Sequence, residues 1–386
     1  MAWLKPSGAL RKLPELLIGG RFPFNFDGVP LFGEGLSFRK RANLVMTGVD
    51  MFLGFDRSHA LPPIIQVEPT NICNLKCPLC PTGIGSMKRP KGFMSIETFR
   101  KILDEIGDVL LSVFLYGWGE PFLNKELPRM IEMCTMRNIR TLSNTNGHYL
   151  QTPDEALRVV DAGLSGLIIA VDGSTQEIYQ RYRTSGDIEK VKRCIANIEE
   201  AKAKRGSELP YTNFRVVITH DNEDDLPALE KLARDLGVNM FSYKPVGMLT
   251  RSEKFEDYVP DQEDVRRFKY EGSTRLNRPP IWCPFPFRQP TVFWDGTVVG
   301  CEYDFNLEAS LGKVREQTFK EIWNSAEAIQ LRRRIRKGLP KEGFCHLCPY
   351  QDRIQDSSVL LCKELRPAGV STERCACEGV QQEKKR

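Results

Sequence analysis

Between Ile64 and Tyr243 short apolar, β-branched runs alternate with longer helical segments, and this alternation restricts the fold of the 386-residue chain more than any other feature. Successive strands joined through a helix lie parallel, because the return path over the sheet takes a helix's length of chain. The runs fall near 64–68, 109–116, 139–144, 166–171, 212–219 and 239–243, with starts 45, 30, 27, 46 and 27 residues apart. That spacing fits crossover units of about thirty residues with two longer insertions. Six units are short of a closed eight-stranded barrel. The expected fold class is therefore α/β, a partial (β/α)6 TIM-like barrel. Ser95 is the expected N-cap of a helix over 96–106 that stops at Gly107. Thr152-Pro153-Asp154-Glu155 opens another with cap, proline and acidic first turn in order.

Beyond about Tyr258 the texture becomes Pro-rich, aromatic and Cys-bearing, as in Pro279-Pro280-Ile281-Trp282-Cys283, which marks a second, smaller domain. The expected division is an N-terminal extension over 1–60, the barrel over 61–257, the Cys-rich domain over 258–355 and a flexible tail over 356–386. The net charge of +5 is spread over the whole chain and gives no reason to expect nucleic acid as a partner. The basic run Arg332–Lys337 reads as the solvated face of a helix. Residues 38–53, basic and then apolar, read as a helix packed on the main domain in preference to one lying on a membrane surface. Twelve cysteines without a secretory signal point to metal binding in a reducing compartment, the cytoplasm.

After the first strand come Cys73, Cys77 and Cys80, spaced C-x3-C-x2-C. A 4Fe-4S cluster is ordinarily held by four cysteines, so three leave one iron with an open position for a small molecule. Catalytic metal sites keep such an opening. A zinc knuckle or a disulfide pair is the competing reading, and neither commonly uses a three-cysteine loop of this spacing after a buried strand.

The loop resembles that of the radical S-adenosylmethionine (SAM) superfamily, in which the open iron chelates the amino and carboxylate groups of SAM. The resemblance extends to other loops on the same expected rim. Gly117-Trp118-Gly119-Glu120-Pro121 is similar to the family's GGEP motif, implying that Gly117 and Gly119 let backbone approach SAM and that Glu120 accepts from its ammonium, with Trp118 in place of the usual glycine. Asn144 and Asn146 stand in a segment similar to family loops that touch the SAM ribose and methionine. Asp172, followed by Tyr182 and Arg183, matches the pattern around the fourth strand, and Arg183 pairs with the SAM carboxylate or with a surface acid. Leu79 stands where many relatives place an aromatic residue against the adenine.

In the second domain Cys283, Gly296, Cys301, Cys345 and Cys348 resemble the SPASM and twitch domains appended to many such enzymes, implying an auxiliary 4Fe-4S cluster on the four cysteines. A zinc ribbon is the competing reading. Cys362, Cys375 and Cys377 form no recognisable second set, and Cys134 and Cys194 read as ordinary buried thiols.

The resemblance implies a radical SAM oxidoreductase that cleaves SAM to a 5'-deoxyadenosyl radical and abstracts a hydrogen atom from a substrate carbon. Oxidation or epimerisation of a small polar, sugar-like substrate is the expected outcome. A peptide- or protein-modifying maturase is the alternative, and an iron-sulfur electron carrier without turnover is the alternative of another class. The expected partners are an electron donor such as flavodoxin or ferredoxin and the substrate itself.

Overall fold

The computed structural model describes residues 14–247, 256–271, 274–275, 283–338, 343–345, 348 and 361–366. Cys375, Cys377 and the expected tail beyond 366 lie outside the described residues, as do residues 1–13.

The chain begins with a hairpin, β1 (Asn25–Phe26) and β2 (Val29–Pro30), followed by helix α1 (Phe38–Leu53). Six parallel strands come next: β3 (Ile64–Val67), β4 (Ser112–Leu115), β5 (Arg140–Thr145), β6 (Gly166–Ala170), β7 (Tyr211–Ile218) and β8 (Met240–Pro245), paired in that order. Helices α2 (Ile96–Ile106), α3 (Leu127–Thr135), α4 (Pro153–Asp161), α5 (Gln176–Tyr182), α6 (Ile188–Arg205) and α7 (Leu226–Asp235) connect them. Each strand falls on one of the runs read from sequence, with β4 beginning three residues late, at 112 against 109. Ser95 caps α2 by accepting from the Thr98 N–H at 3.2 Å, and Thr152 with Glu155 forms a reciprocal capping box on α4.

After the small pair β9 (Tyr270–Glu271) and β10 (Thr274–Arg275) come α8 (Phe285–Arg288), β11 (Thr291–Val292), β12 (Thr297–Val299), β13 (Ser310–Lys313), α9 (Phe319–Trp323), α10 (Ala326–Arg336) and β14 (Leu361–Glu364). β11 pairs in parallel with β3, Thr291 opposite Gln66 and Val292 opposite Val67, and β12 and β13 continue antiparallel from it. The Cys-rich region is thus continuous with the barrel sheet, and its Val292, Trp323 and Leu331 share one core with the barrel helices. At the other edge β14 runs antiparallel to β8, Cys362 opposite Ser242. This corrects the expectation of a flexible tail for residues 361–364. The open edge of β8 offers unpaired backbone groups, and β14 satisfies them.

Strand side chains alternate between the two faces of the sheet. On the outer face Ile65, Val113, Leu167 and Phe214 pack under the helices. On the inner face Phe114, Leu142, Ile168 and Met240 meet Phe22, Phe24, Val29 and Leu31 of the N-terminal segment. The hairpin therefore plugs the lower half of the barrel interior, which the sequence reading did not anticipate.

Two further expectations are corrected. Helix α1 does pack on the main domain and buries Leu44 in the inner core, but the rest of its buried face is polar. Lys40 donates to the carbonyls of Arg137 and Asn138 at 3.0 and 2.7 Å, Asn43 exchanges hydrogen bonds with the Leu61 backbone, and Asp50 accepts from Ser58, His59 and Ala60. These contacts satisfy loop backbone at the N-terminal ends of the strands, where an apolar face would leave it bare. Arg332, expected on a solvated face, is buried. Its guanidinium donates to the carbonyls of Asp56, Pro286 and Trp323 and lies 4.2 Å from the centre of the Trp323 ring. Its neighbours Arg333, Arg334, Arg336 and Lys337 are exposed as expected, and Arg333 and Arg336 pair with Asp56.

Candidate functional site

The C-terminal ends of β3, β4, β5 and β6 bring the expected residues to one rim of the half-barrel. The loop after β3 holds Cys73, Cys77 and Cys80 as free thiols. Burial pushes the Cys73 thiol up to about 11, and the neighbouring Cys77 and Cys80 add to the shift. Cys77 is raised as well, chiefly by burial, although the Arg183 guanidinium opposes this. Thiols so placed hold their protons until a metal displaces them. Three cysteine donors on one loop suit a 4Fe-4S cluster with one iron left open.

Gly117 and Gly119 follow β4, and close packing requires both to be glycine. A Cβ on Gly119 would stand 2.4 Å from the Thr70 carbonyl and 2.6 Å from that of Ile72, and one on Gly117 would stand 2.7 Å from Glu68 Cγ. They let this loop press against the segment leading into the cysteines. The Glu120 N–H bonds the Ile72 carbonyl at 2.8 Å. The buried Glu120 carboxyl accepts from the Asn146 N–H at 2.7 Å and from Thr145 Oγ1 at 3.0 Å. Burial pushes its pKa up to about 7 against the pull of these hydrogen bonds.

From the end of β5, Asn146 donates to Asn74 Oδ1 at 2.8 Å and reaches within 3.7 Å of Cys73 Sγ. The half-buried Asn144 side chain has no hydrogen-bond partner among the described residues. Asp172 follows β6 and accepts from the Val217 N–H at 2.7 Å and from Arg183 Nε. Arg183 is therefore paired with a buried acid rather than a surface one, and its Nη1 lies 3.7 Å from Cys77 Sγ. Leu79 packs with Val246, Tyr182, Val217 and Tyr258.

The second cysteine set surrounds one cavity. Cys283, Cys301, Cys345 and Cys348 line it together with Phe285, Pro286, Leu331, Ile335 and Phe344. Burial raises the thiols of Cys283 and Cys301 strongly and that of Cys345 to about 12, and the sulfurs raise one another further. Four thiols facing one apolar cavity, where thiolates alone would repel one another, suit a cluster whose irons take them as thiolates.

Two residues that sequence reasoning missed, Glu68 and Arg89, and one it noted without a role, Trp118, join the two centres. Glu68, at the end of β3, is fully buried and pairs with Arg89 from the cysteine loop. Arg89 also donates to the Phe305 carbonyl at 2.7 Å and lies 3.8 Å from the centre of the Phe293 ring. Trp118 donates from Nε1 to the Glu302 carbonyl at 2.8 Å and packs edge-on against Tyr303 and Phe305. A charge ending an apolar strand and a tryptophan in a glycine-rich turn were the available signals.

Below the rim the chamber is polar. Arg215 donates to Ser242 Oγ at 2.7 Å and to Asp27 of the hairpin at 3.0 Å, while Gln66 donates to Glu302 at 2.7 Å. Lys244 stands beside them without a hydrogen-bond partner among the described residues, and burial lowers its pKa to about 8.

Residues 67–233 match the model of the radical SAM superfamily, and residues 283–349 match that of the SPASM iron-sulfur cluster-binding domain. The chain is 24% identical over 325 residues to the AdoMet-dependent heme synthase of Methanosarcina barkeri, an alignment that covers 75% of this chain and 89% of that protein. It is 26% identical over 297 residues to the tungsten-containing aldehyde ferredoxin oxidoreductase cofactor-modifying protein of Pyrococcus furiosus, covering 68% and 80% of the two chains. In fold it resembles Streptococcus suis SuiB bound to S-adenosylmethionine, with a TM-score of 0.58 at 11% identity over 81% of this chain and 77% of that one. The cysteine rim falls in the first matched region and the four-cysteine cavity in the second, so the chain belongs to the radical SAM superfamily as a SAM-using 4Fe-4S enzyme with a C-terminal SPASM domain.

Proposed function

We propose that Cys73, Cys77 and Cys80 hold the cluster that binds SAM, that Cys283, Cys301, Cys345 and Cys348 hold an auxiliary cluster, and that the substrate is small, polar and sugar-like. The first cluster with SAM supplies a 5'-deoxyadenosyl radical on one-electron reduction, and a flavodoxin or ferredoxin is the fitting donor. The residues around it bind and orient. Asn144 offers an unoccupied amide to ribose hydroxyls. Leu79 and Val246 give the adenine an apolar wall. Asn146 and Glu120, tied to each other, fix the loop that receives the methionine end. The Arg183–Asp172 pair holds a cation beside Cys77.

The observation that carries the substrate class is the chamber floor. The N-terminal hairpin packs against the inner face of the sheet from below, and above it Gln66, Arg215, Ser242, Lys244 and Glu302 gather around Asp27. A polar floor of this kind suits a compact ligand rich in hydroxyl or anionic groups. Oxidation or epimerisation of such a ligand is the proposed outcome. Anaerobic assays with deuterated sugars and aminocyclitols should move deuterium into 5'-deoxyadenosine. Transfer only from peptides would replace this reading with that of a peptide-modifying maturase.

A further inference from the structure

Helix α1 turns its apolar side outward. At 100° per residue, Phe52, Phe38, Val49, Leu53 and Met46 occupy a single arc of about 120°, with Arg41 at one border and Arg39 at the other. Phe38 and Phe52 are each 77% exposed and Leu53 is 56% exposed. The face is extended by the helical turn at 14–17, because Arg41 Nη1 donates to the Leu17 carbonyl at 2.6 Å and Ile18 beside it is 87% exposed. The opposite side of α1 is fixed by the hydrogen bonds of Lys40, Asn43 and Asp50, so the helix cannot turn the aromatics inward without breaking them.

We propose that this face docks the enzyme on an anionic lipid bilayer surface. Arg39, exposed at one border of the arc, can seat its stem among acyl chains and its guanidinium at phosphate, while Arg41 at the other border adds positive charge from its place on the Leu17 carbonyl. The arc of α1 itself carries no carboxylate, and the adjoining turn at 14–17 carries one, the exposed Glu15. The helix's single acid, Asp50, faces inward with both oxygens occupied. Arg39 pairs with Asp108 at 2.7 Å, but both side chains are largely exposed, and such a surface pair yields readily to a lipid phosphate. Residues 1–13, which precede the helical turn in sequence, add Lys5, Arg11 and Lys12 and no acid. The attachment is interfacial, since no helix among the described residues is long and apolar enough to cross a membrane. The contacts of α1 with Leu61, Arg137 and Asn138 place it over the N-terminal ends of β3 and β5. The cysteine rim lies at the opposite ends of the strands, so docking leaves the mouth of the chamber unobstructed.

The test is co-sedimentation of the full chain, anaerobically reconstituted, with phosphatidylcholine vesicles that contain or lack about one-third phosphatidylglycerol. Binding to the anionic vesicles is expected, with at least a tenfold loss in Phe38→Glu/Phe52→Glu and in Arg39→Glu/Arg41→Glu. Both variants should retain wild-type iron content and SAM cleavage, which shows that they fold and separates this proposal from the catalytic reading. Equal sedimentation of wild type and variants would overturn it. So would a wild-type dimer in light scattering that the Phe variant dissociates without any vesicle binding, because a second copy would then be the occupant.

Discussion

Arg89 Nη1 and Nη2 lie 2.9 and 2.8 Å from Glu68 Oε2 and Oε1, a bidentate pair with both side chains almost wholly removed from solvent. The pair joins the end of β3 to the chain just beyond the cysteine loop. The third guanidinium nitrogen, through the Phe305 carbonyl, carries the connection into the SPASM region. One cation thus braces both metal centres. Removing one partner of a buried pair leaves an uncompensated charge. Arg89→Ala is expected to lower stability by about 3–5 kcal/mol in denaturant melts. It should also lower iron content at both centres, and an unchanged midpoint with full iron would show that the pair contributes nothing.

Trp118 stands where the family motif has glycine, and the structure assigns it a definite contact, the Glu302 carbonyl and the rings of Tyr303 and Phe305. Trp118→Gly should cost about 2–4 kcal/mol through the lost ring packing and hydrogen bond. Iron analysis should fall towards the content of one cluster while SAM cleavage persists. Retention of all iron would contradict a bridging role.

At Gly119 the added methyl group of alanine would collide with two backbone carbonyls, which cannot swing aside as a flexible side chain does. Gly119→Ala should therefore displace the loop, at a cost of about 1–3 kcal/mol. It should also weaken the first cluster far more than the second. Electron paramagnetic resonance of the reduced protein separates the two, and equal loss at both centres would count against this account.

Glu120 gives the apo-protein a pH dependence with a definite sign. Its carboxyl is raised to about 7 by burial, so the folded chain binds this proton more tightly than the unfolded chain does. Its contribution to stability is complete below the ordinary glutamate range of about 4.3 and is lost as pH rises through about 7. Melts of the metal-free protein from about pH 5 to about pH 8 should show falling stability, and Glu120→Gln should flatten that slope. Parallel profiles for the two proteins would contradict the assignment.

Strand order and the gathering of the rim loops were legible because each rests on local signals: β-branched runs, caps at Ser95 and Thr152, and cysteine spacing. What the sequence hid is long-range pairing. Nothing near Asp27 announces that it meets Arg215, 188 residues away, or that residues 22–31 fill the barrel from below. Arg332 was misplaced because a basic run looks solvated on its own helix, and its three carbonyl partners come from 56, 286 and 323. The polar inward face of α1 escaped for a related reason. Its partners are the bare backbone ends at 60–61 and 137–138, which a helix pattern does not display.

The most direct test is release of 5'-deoxyadenosine from SAM by anaerobically reconstituted, reduced protein, comparing wild type with Cys73→Ala/Cys77→Ala/Cys80→Ala. The account predicts release by the wild type and none above background by the variant, which should still hold the iron of its second centre. Release at the wild-type rate from the triple variant would contradict it.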